Sequence, residues 1–159
     1  MKAFRLEGEQ PMKIVSISQH FFSQCTQPNE LLDNTNRRPY VVIMKLDYKG
    51  KKYDFALPFR SNISATVPAD LYFSLPPTSS TRVGNKSGLH LIKMFPVDKH
   101  YFEKFRINPG SSYDLNSKII QKKKKDLIQL CQDYLNRVES GEFISYRVNI
   151  DQIILDIGL

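Results

Sequence analysis

Apolar residues recur along this chain first with the period of strands and later with the period of a helix. Met12 to Ser18 (MKIVSIS) predicts a first strand, and His20-Phe21-Phe22 opens a short turn or helix behind it. Residues before Met12 look dispensable, and the polar stretch Thr26 to Arg37, with Pro28 and three Asn, predicts a surface connection. The clearest element follows. Tyr40 to Tyr48 (YVVIMKLDY) and Lys51 to Phe59 (KKYDFALPF) flank Lys49-Gly50, a pair suited to a tight hairpin turn because Gly accepts positive φ.

In an antiparallel hairpin about a two-residue turn, the numbers of facing residues have a constant sum. Tyr48 then faces Lys51, Leu46 faces Tyr53, Met44 faces Phe55, Val42 faces Leu57 and Tyr40 faces Phe59, an unbroken apolar face. Continued to the open end, the same register sets Arg38 opposite Ser61. An odd number of loop residues would break this pairing.

Ile63 to Ser87 is rich in Pro, Ser and Thr around the apolar piece Leu71 to Leu75, and reads as loop, short strand or turn, then loop. Gly88 to Pro96 (GLHLIKMFP) predicts another strand, Asp98 to Phe105 a short helix and Ile107 to Ser112 a Pro-Gly turn. A long helix is expected to start near Asn116 or Ser117, residue types favoured at N-caps, and to end near Gly141. Its stripe of Ile120, Leu127, Cys131, Tyr134 and Val138 has helical spacing. The tail, Phe143 to Leu159, predicts a final strand and a short helix. There are no internal repeats, and the expected organisation is one domain over residues 1–159 with an α+β fold.

Composition narrows the function classes. Of 159 residues, 41% are hydrophobic and 25% charged, which suits a folded domain and argues against wholesale disorder. No apolar run approaches the ~20 residues of a membrane span, and charges occupy the first ten residues where a signal peptide needs an apolar core, so a cytoplasmic protein with no membrane partner is expected. Lys and Arg number 23 against 16 Asp and Glu, a net charge of +7 that favours polyanionic partners. Cys25 and Cys131 are far apart and predict buried thiols; His20, His90 and His100 form no metal-ligand spacing. No glycine-rich phosphate loop, dinucleotide fingerprint or GxSxG elbow occurs, so no metal and no cofactor is expected.

Positive charge concentrates at Lys122 to Lys125, with Lys118 one turn earlier, in the first half of the predicted helix. That placement opposes the helix dipole and suits an anion, although four consecutive residues span every side of a helix and a solvated face explains them equally simply. Pro58-Phe59-Arg60-Ser61-Asn62 gathers a cation, a hydroxyl and an amide where a strand ends. Such a cluster either holds phosphate oxygens through charge-assisted hydrogen bonds or satisfies turn backbone.

The segments MKIVSIS, RRPYVVIMKLDYKGKKYDFALPFRSN and GLHLIKMFPV, followed by a long basic helix, resemble the toxin component of type III toxin–antitoxin systems. The similarity is to the ToxN/AbiQ-like family, and within it to the CptN branch, and it runs from Met12 to about Val138. It implies a compact twisted antiparallel sheet similar to the Kid/MazF fold, a partly closed barrel with peripheral helices. It implies an endoribonuclease that needs no metal, is inhibited by an RNA pseudoknot it processes from a repetitive precursor, closes with that RNA into a hetero-oligomer, and acts on cellular and phage RNA, adenine-rich by expectation, causing growth arrest and abortive infection. The family's serine matches Ser61 in Pro58-x-x-Ser61, and its basic residue before the preceding strand matches Arg38. Arg60 stands where ToxN has Thr, Ile63 where it has Lys, and Phe21 where it has Tyr.

Metal-free cleavage then assigns Ser61 to the scissile phosphate or 2′-oxygen, Arg60 and Arg38 to transition-state charge, and His20 to proton transfer, with His90 as its competitor. RNA contacts are expected at Asn62, His90, Lys93, Lys118, Lys122, Lys123 and Lys125. A non-catalytic RNA-binding module and a protein- or membrane-surface domain are the alternatives.

Overall fold

A computed structural model of the chain describes residues 12–32 and 38–159. The segment expected to be dispensable, before Met12, and residues 33–37 of the polar connection lie outside the described residues. The strands are β1 (Met12–Ile17), β2 (Tyr40–Tyr48), β3 (Lys51–Ile63), β4 (Tyr72–Leu75), β5 (Lys86–His90), β6 (Phe95–Val97) and β7 (Phe102–Lys104). The α-helices are α1 (Gln19–Gln24), α2 (Ser112–Lys122), α3 (Lys124–Glu139) and α4 (Ile150–Ile157).

All seven strands pair antiparallel in the order β4-β5-β3-β2-β1-β7, with β6 also beside β3. The end strands β4 and β7 do not pair with each other, so the sheet is open and not the partly closed barrel expected. Its axis is β3, in which residues 55–59 (FALPF) are buried in succession because both faces of the strand are covered. One edge of β3 carries β2; the other carries β6 on Asp54–Ala56 and β5 on Phe59–Ile63.

The hairpin turn is as predicted, with Lys49 at φ 48° and Gly50 at φ 78°. Near it the register is also as predicted: Tyr48 pairs Lys51 and Leu46 pairs Tyr53. Further out the pairing is Ile43 to Phe55, Val42 to Ala56 and Tyr40 to Pro58, one residue away from the expected register. The cause is a bulge at Lys45, which adopts φ 61° and gives its N–H to Asp54 Oδ1 at 3.1 Å. An extra residue in one strand turns later side chains to the opposite face. Leu46 and Tyr48 therefore share a face with Val41 and Ile43, whereas Tyr40 and Val42 point to the other side.

Each face has its own core. Val41, Ile43, Leu46, Phe55 and Leu57 pack with Leu127, Cys131, Tyr134 and Leu135 of α3. Tyr40, Val42, Ala56 and Phe95 pack with Phe21 and Phe22 of α1 and Ile153 of α4. Burying a large apolar side chain is worth ~1.5–3 kcal/mol, so both helical layers are held mainly by this packing. Cys25 and Cys131 are buried free thiols.

Four further expectations are corrected. Gly88 to Pro96 is not one strand: β5 stops at His90, a 3-10 turn over Leu91–Lys93 is closed by Met94 N–H on Leu91 O at 3.0 Å, and β6 follows. Asp98 to Phe105 is a 3-10 turn, capped by Asp98 Oδ1 accepting from His100 N–H, and then β7, which pairs β1. The long helix is two helices and starts earlier. Ser111 caps α2 by accepting from Asp114 N–H at 3.2 Å, Asp114 Oδ2 accepts from Gly110 N–H at 2.9 Å, and Asn116 is buried inside the helix. Lys123, at φ −107° and ψ 23°, separates α2 from α3 where like charges crowd adjacent positions. Phe143 to Asn149 forms no strand: Ile144 and Val148 are buried, but Phe143 and Tyr146 are 88% and 85% exposed and Tyr146 takes φ 62°, which interrupts extended backbone. The short final helix is α4, capped by Asn149 and ended by Gly158 at φ 73°.

Candidate active site

The C-terminal half of β3, the start of β2, the β4–β5 loop and the N-terminus of α2 converge on one cavity of about 320 Å³. Arg60 and Ser61 line it from β3, Arg38 from the approach to β2, Ser80 from the loop, Gly88 from β5, and Tyr113 and Asn116 from α2. Its size lies at the lower end of the ~300–1,000 Å³ typical of small-ligand pockets.

Ser61 owes its position to a second irregularity. Phe59 pairs Leu89 and Arg60 pairs Gly88, but Ile63 pairs Lys86, so Ser61 and Asn62 together oppose one residue of β5. A bulge of this kind re-aims a strand side chain, here the half-buried Ser61 hydroxyl. The Lys45 bulge sets the other half. Because the shifted register pairs Tyr40 with Pro58, its continuation brings Arg38 level with Arg60 instead of Ser61. Arg38 Nη1 donates to Phe59 O at 2.9 Å. The two arginines and the serine thus meet at one wall, with the cation pair in place of the expected cation–hydroxyl pair.

Gly88 is required by packing: a Cβ there would stand 2.0 Å from Phe73 O across the β4–β5 ladder. Gly88 therefore presents no side chain to Arg60, its Cβ direction being filled by the β4 backbone. Arg60 reaches across it to His90, the next residue on that side of β5, with Nη1 3.0 Å from His90 Nδ1. Burial, and then the nearby Arg38, pull the Arg60 pKa below its ordinary value. Burial, then Arg60 and Lys93, pull that of His90 down to about 4.

Among the described residues, no Asp or Glu lines the cavity. Its wall combines guanidinium donors with hydroxyls of Ser61, Ser80 and Ser87, which suits an anion bearing several oxygens. Tyr113 holds its ring between Phe59 and Phe105, each centroid 5.4 Å away.

The other sequence candidates are distributed differently. Asn62 builds the wall: its Nδ2 donates to Ser80 O at 2.8 Å, and its Oδ1 accepts from Arg82 N–H at 2.8 Å and Asn85 Nδ2 at 3.2 Å. His90 is 3% exposed, behind Arg60. Lys93 is half-buried and donates to Glu30 O at 3.0 Å and Tyr146 O at 2.9 Å, tying two loops together. His20 lies on α1, exposed, beside Gln24 and 5.8 Å from the Tyr101 ring; it is not part of the cavity wall. Lys118 pairs with Asp114 at 3.5 Å. Lys122, Lys123 and Lys125 lie around the α2–α3 junction, where a separate depression of about 340 Å³ runs between Gln121 and Asp126. Sequence reading missed Tyr113, Asn116 and the Ser/Thr-rich loop, which reach the site only through tertiary structure. Among the described residues, no group of three or more His, Cys, Asp or Glu is placed to hold a metal, and no helix is long and apolar enough to cross a membrane.

The chain is similar in structure to the protein of a bacterial antiviral system regulated by a processed non-coding RNA, with a TM-score of 0.63, 17% identity, and coverage of 89% of this chain and 94% of that one. The two share a fold. A second similar structure is from a bacterial type III toxin–antitoxin system with selective toxin inhibition by a non-coding RNA pseudoknot, with a TM-score of 0.45, 17% identity, and coverage of 82% of this chain and 75% of that one. No protein-family model matches the chain, and no curated protein matches it. The shared α+β fold extends over nearly the whole chain.

Proposed function

We propose that the chain is the endoribonuclease toxin of a type III toxin–antitoxin system, of the ToxN/AbiQ kind and nearest its CptN branch. The observation that carries this reading is the convergence of Arg38, Arg60 and Ser61 on a cavity whose wall, among the described residues, holds no carboxylate. The fold shared with a protein of an RNA-regulated antiviral system supports it.

The reaction is transesterification. The 2′-oxygen of the RNA attacks the adjacent phosphorus, the P–O5′ bond breaks, the 2′-hydroxyl proton leaves to solvent and the 5′-oxygen takes one up, yielding a 2′,3′-cyclic phosphate and a 5′-hydroxyl. Arg60 and Arg38 stabilise the charge that grows on the phosphorane, and Ser61 donates a hydrogen bond to a non-bridging oxygen. Donors already aimed at developing charge are often the largest catalytic contribution, ~10²–10³ for one donor. The lysines from Lys118 to Lys125 form the face on which the inhibitory RNA rests, in a cytoplasmic toxin–RNA oligomer that releases the toxin during phage infection.

Incubating the purified protein with RNA in EDTA and mapping the ends tests this. Cyclic-phosphate and 5′-hydroxyl ends are expected, with Ser61→Ala abolishing them while retaining antitoxin RNA binding; linear 3′-hydroxyl ends overturn the mechanism. One observation favours a second reading, RNA binding without cleavage: among the described residues, no imidazole or carboxylate lines the cavity to move a proton. Intact RNA after incubation, with binding retained, selects that reading.

A further inference from the structure

We propose that His90 is a positioning residue that aims the Arg60 guanidinium into the cavity and is kept there at a cost to stability. The role in cleavage rests on the nuclease reading above; the aiming itself rests on geometry alone.

A guanidinium carries only donors. At 3.0 Å from Arg60 Nη1, His90 Nδ1 must therefore be the acceptor, and the ring's proton sits on Nε2. The ring is 3% exposed and turned away from solvent, so His90 touches no substrate. Its position is fixed by the sheet: Tyr72 of β4 pairs with His90, and Gly88, two residues earlier on β5, pairs with Arg60. Side chains two residues along a neighbouring strand stand diagonally across from each other. Because Gly88 has no side chain to meet it, the arginine leans over the glycine to the histidine. Arg60 needs such an anchor, since a long side chain samples many rotamers and the neighbouring Arg38 repels it.

The cost is seen at the other nitrogen. His90 Nε2 is buried without a hydrogen-bond partner among the described residues. An unpaired buried donor destabilises a fold, while an apolar side chain of similar shape carries no such penalty. A residue present only for packing would not be a histidine here.

This gives opposite signs to stability and activity. His90→Leu is expected to melt no lower than wild type, yet to cleave a short RNA in EDTA with kcat reduced about 10–100-fold, the scale on which a misplaced group acts, and with KM changed less than about threefold. His90→Asn, whose Oδ1 can stand where Nδ1 stood, is expected to restore most of kcat; His90→Gln, with its acceptor one bond further out, is not. A His90→Leu protein that cleaves at the wild-type rate overturns the proposal, as does parallel loss of melting temperature and activity in both the Leu and Asn variants. If the wild-type protein cleaves no RNA, the nuclease reading fails separately, and ¹⁵N NMR of the arginine side chains decides the aiming. Arg60, assigned with Arg60→Lys, should show restricted guanidinium rotation in wild type and free rotation in His90→Leu; equal mobility in both overturns it.

Discussion

Arg38 and Arg60 carry the same charge as Lys122 to Lys125, yet the two regions are built in opposite ways. The arginines lie where bulges, a forced glycine and a buried imidazole fix them, and burial makes Arg60 sensitive to its neighbours. The lysines surround a helix junction on the surface, in an open depression they share with Asp126. Charge in a constrained, partly desolvated place acts strongly on one phosphate, whereas charge in water acts weakly and additively on many. Under the proposed function, that difference separates a chemical role from an attractive one.

The largest test of that contrast is Arg60→Ala, expected to lower kcat by about 10²–10³-fold, a loss of ~3–4 kcal/mol of transition-state stabilisation. Single-turnover rates with excess enzyme measure it, and a loss confined to RNA affinity would place Arg60 with the lysines. Next is Gly88→Ala. Its methyl meets backbone, not a yielding side chain, so chemical denaturation should show destabilisation at or above the ~1–3 kcal/mol of an overpacked site; unchanged stability would mean that β4 and β5 part easily. The pH dependence of folding comes third. His90 has a pKa of about 4 in the fold, lowered first by burial and then by Arg60 and Lys93, against an ordinary 6.5. The unfolded chain therefore binds the extra proton, and the stability the fold has above pH 6.5, where His90 is neutral in both states, is lost as pH falls towards 4. The upper bound of that loss is ~3 kcal/mol, and denaturant titrations between pH 4 and 7 should show a shallower acid limb in His90→Leu. The smallest effect is expected on the lysine face. Replacing Lys122 and Lys125 by Gln should leave kcat unchanged and reduce the slope of log affinity against log salt by ~0.7–0.9 for each phosphate that goes without its lysine; a change in cleavage rate would erase the contrast.

How far each region could be read from the sequence follows the same division. Local signals located the hairpin, its Lys49-Gly50 turn, the first strand with its short helix, and the short strand inside the Ser/Thr-rich stretch. Where a residue's conformation depends on a distant partner, reading failed. Lys45 adopts positive φ because Asp54 receives its N–H, and nothing in YVVIMKLDY announces that. GLHLIKMFP alternates well enough for one strand, but β3 is met by β5 and β6 in separate places, and the 3-10 turn between them resets the direction. Arg38, Arg60 and Ser61 were legible as a group because they flank one hairpin. Tyr113 and Asn116 were not, since α2 reaches the cavity only after the chain has crossed the sheet.

The Lys45 bulge also divides the hairpin into two reading frames. Between it and the turn, numbers pair as in a simple ribbon; beyond it, β2 has advanced by one step against β3. Insertions and deletions are consequently unequal along the same strand. Loss of one residue between Tyr40 and Ile43 would turn the residues before it to the opposite face and move Arg38 from the level of Arg60 to that of Phe59, whereas loss at Lys45 itself would remove the bulge and leave Arg38 level with Arg60. Straightening the strand with Lys45 kept in register is what would set Arg38 opposite Ser61, so a single surface residue acts as the phase marker for the cavity wall at the far end of its strand.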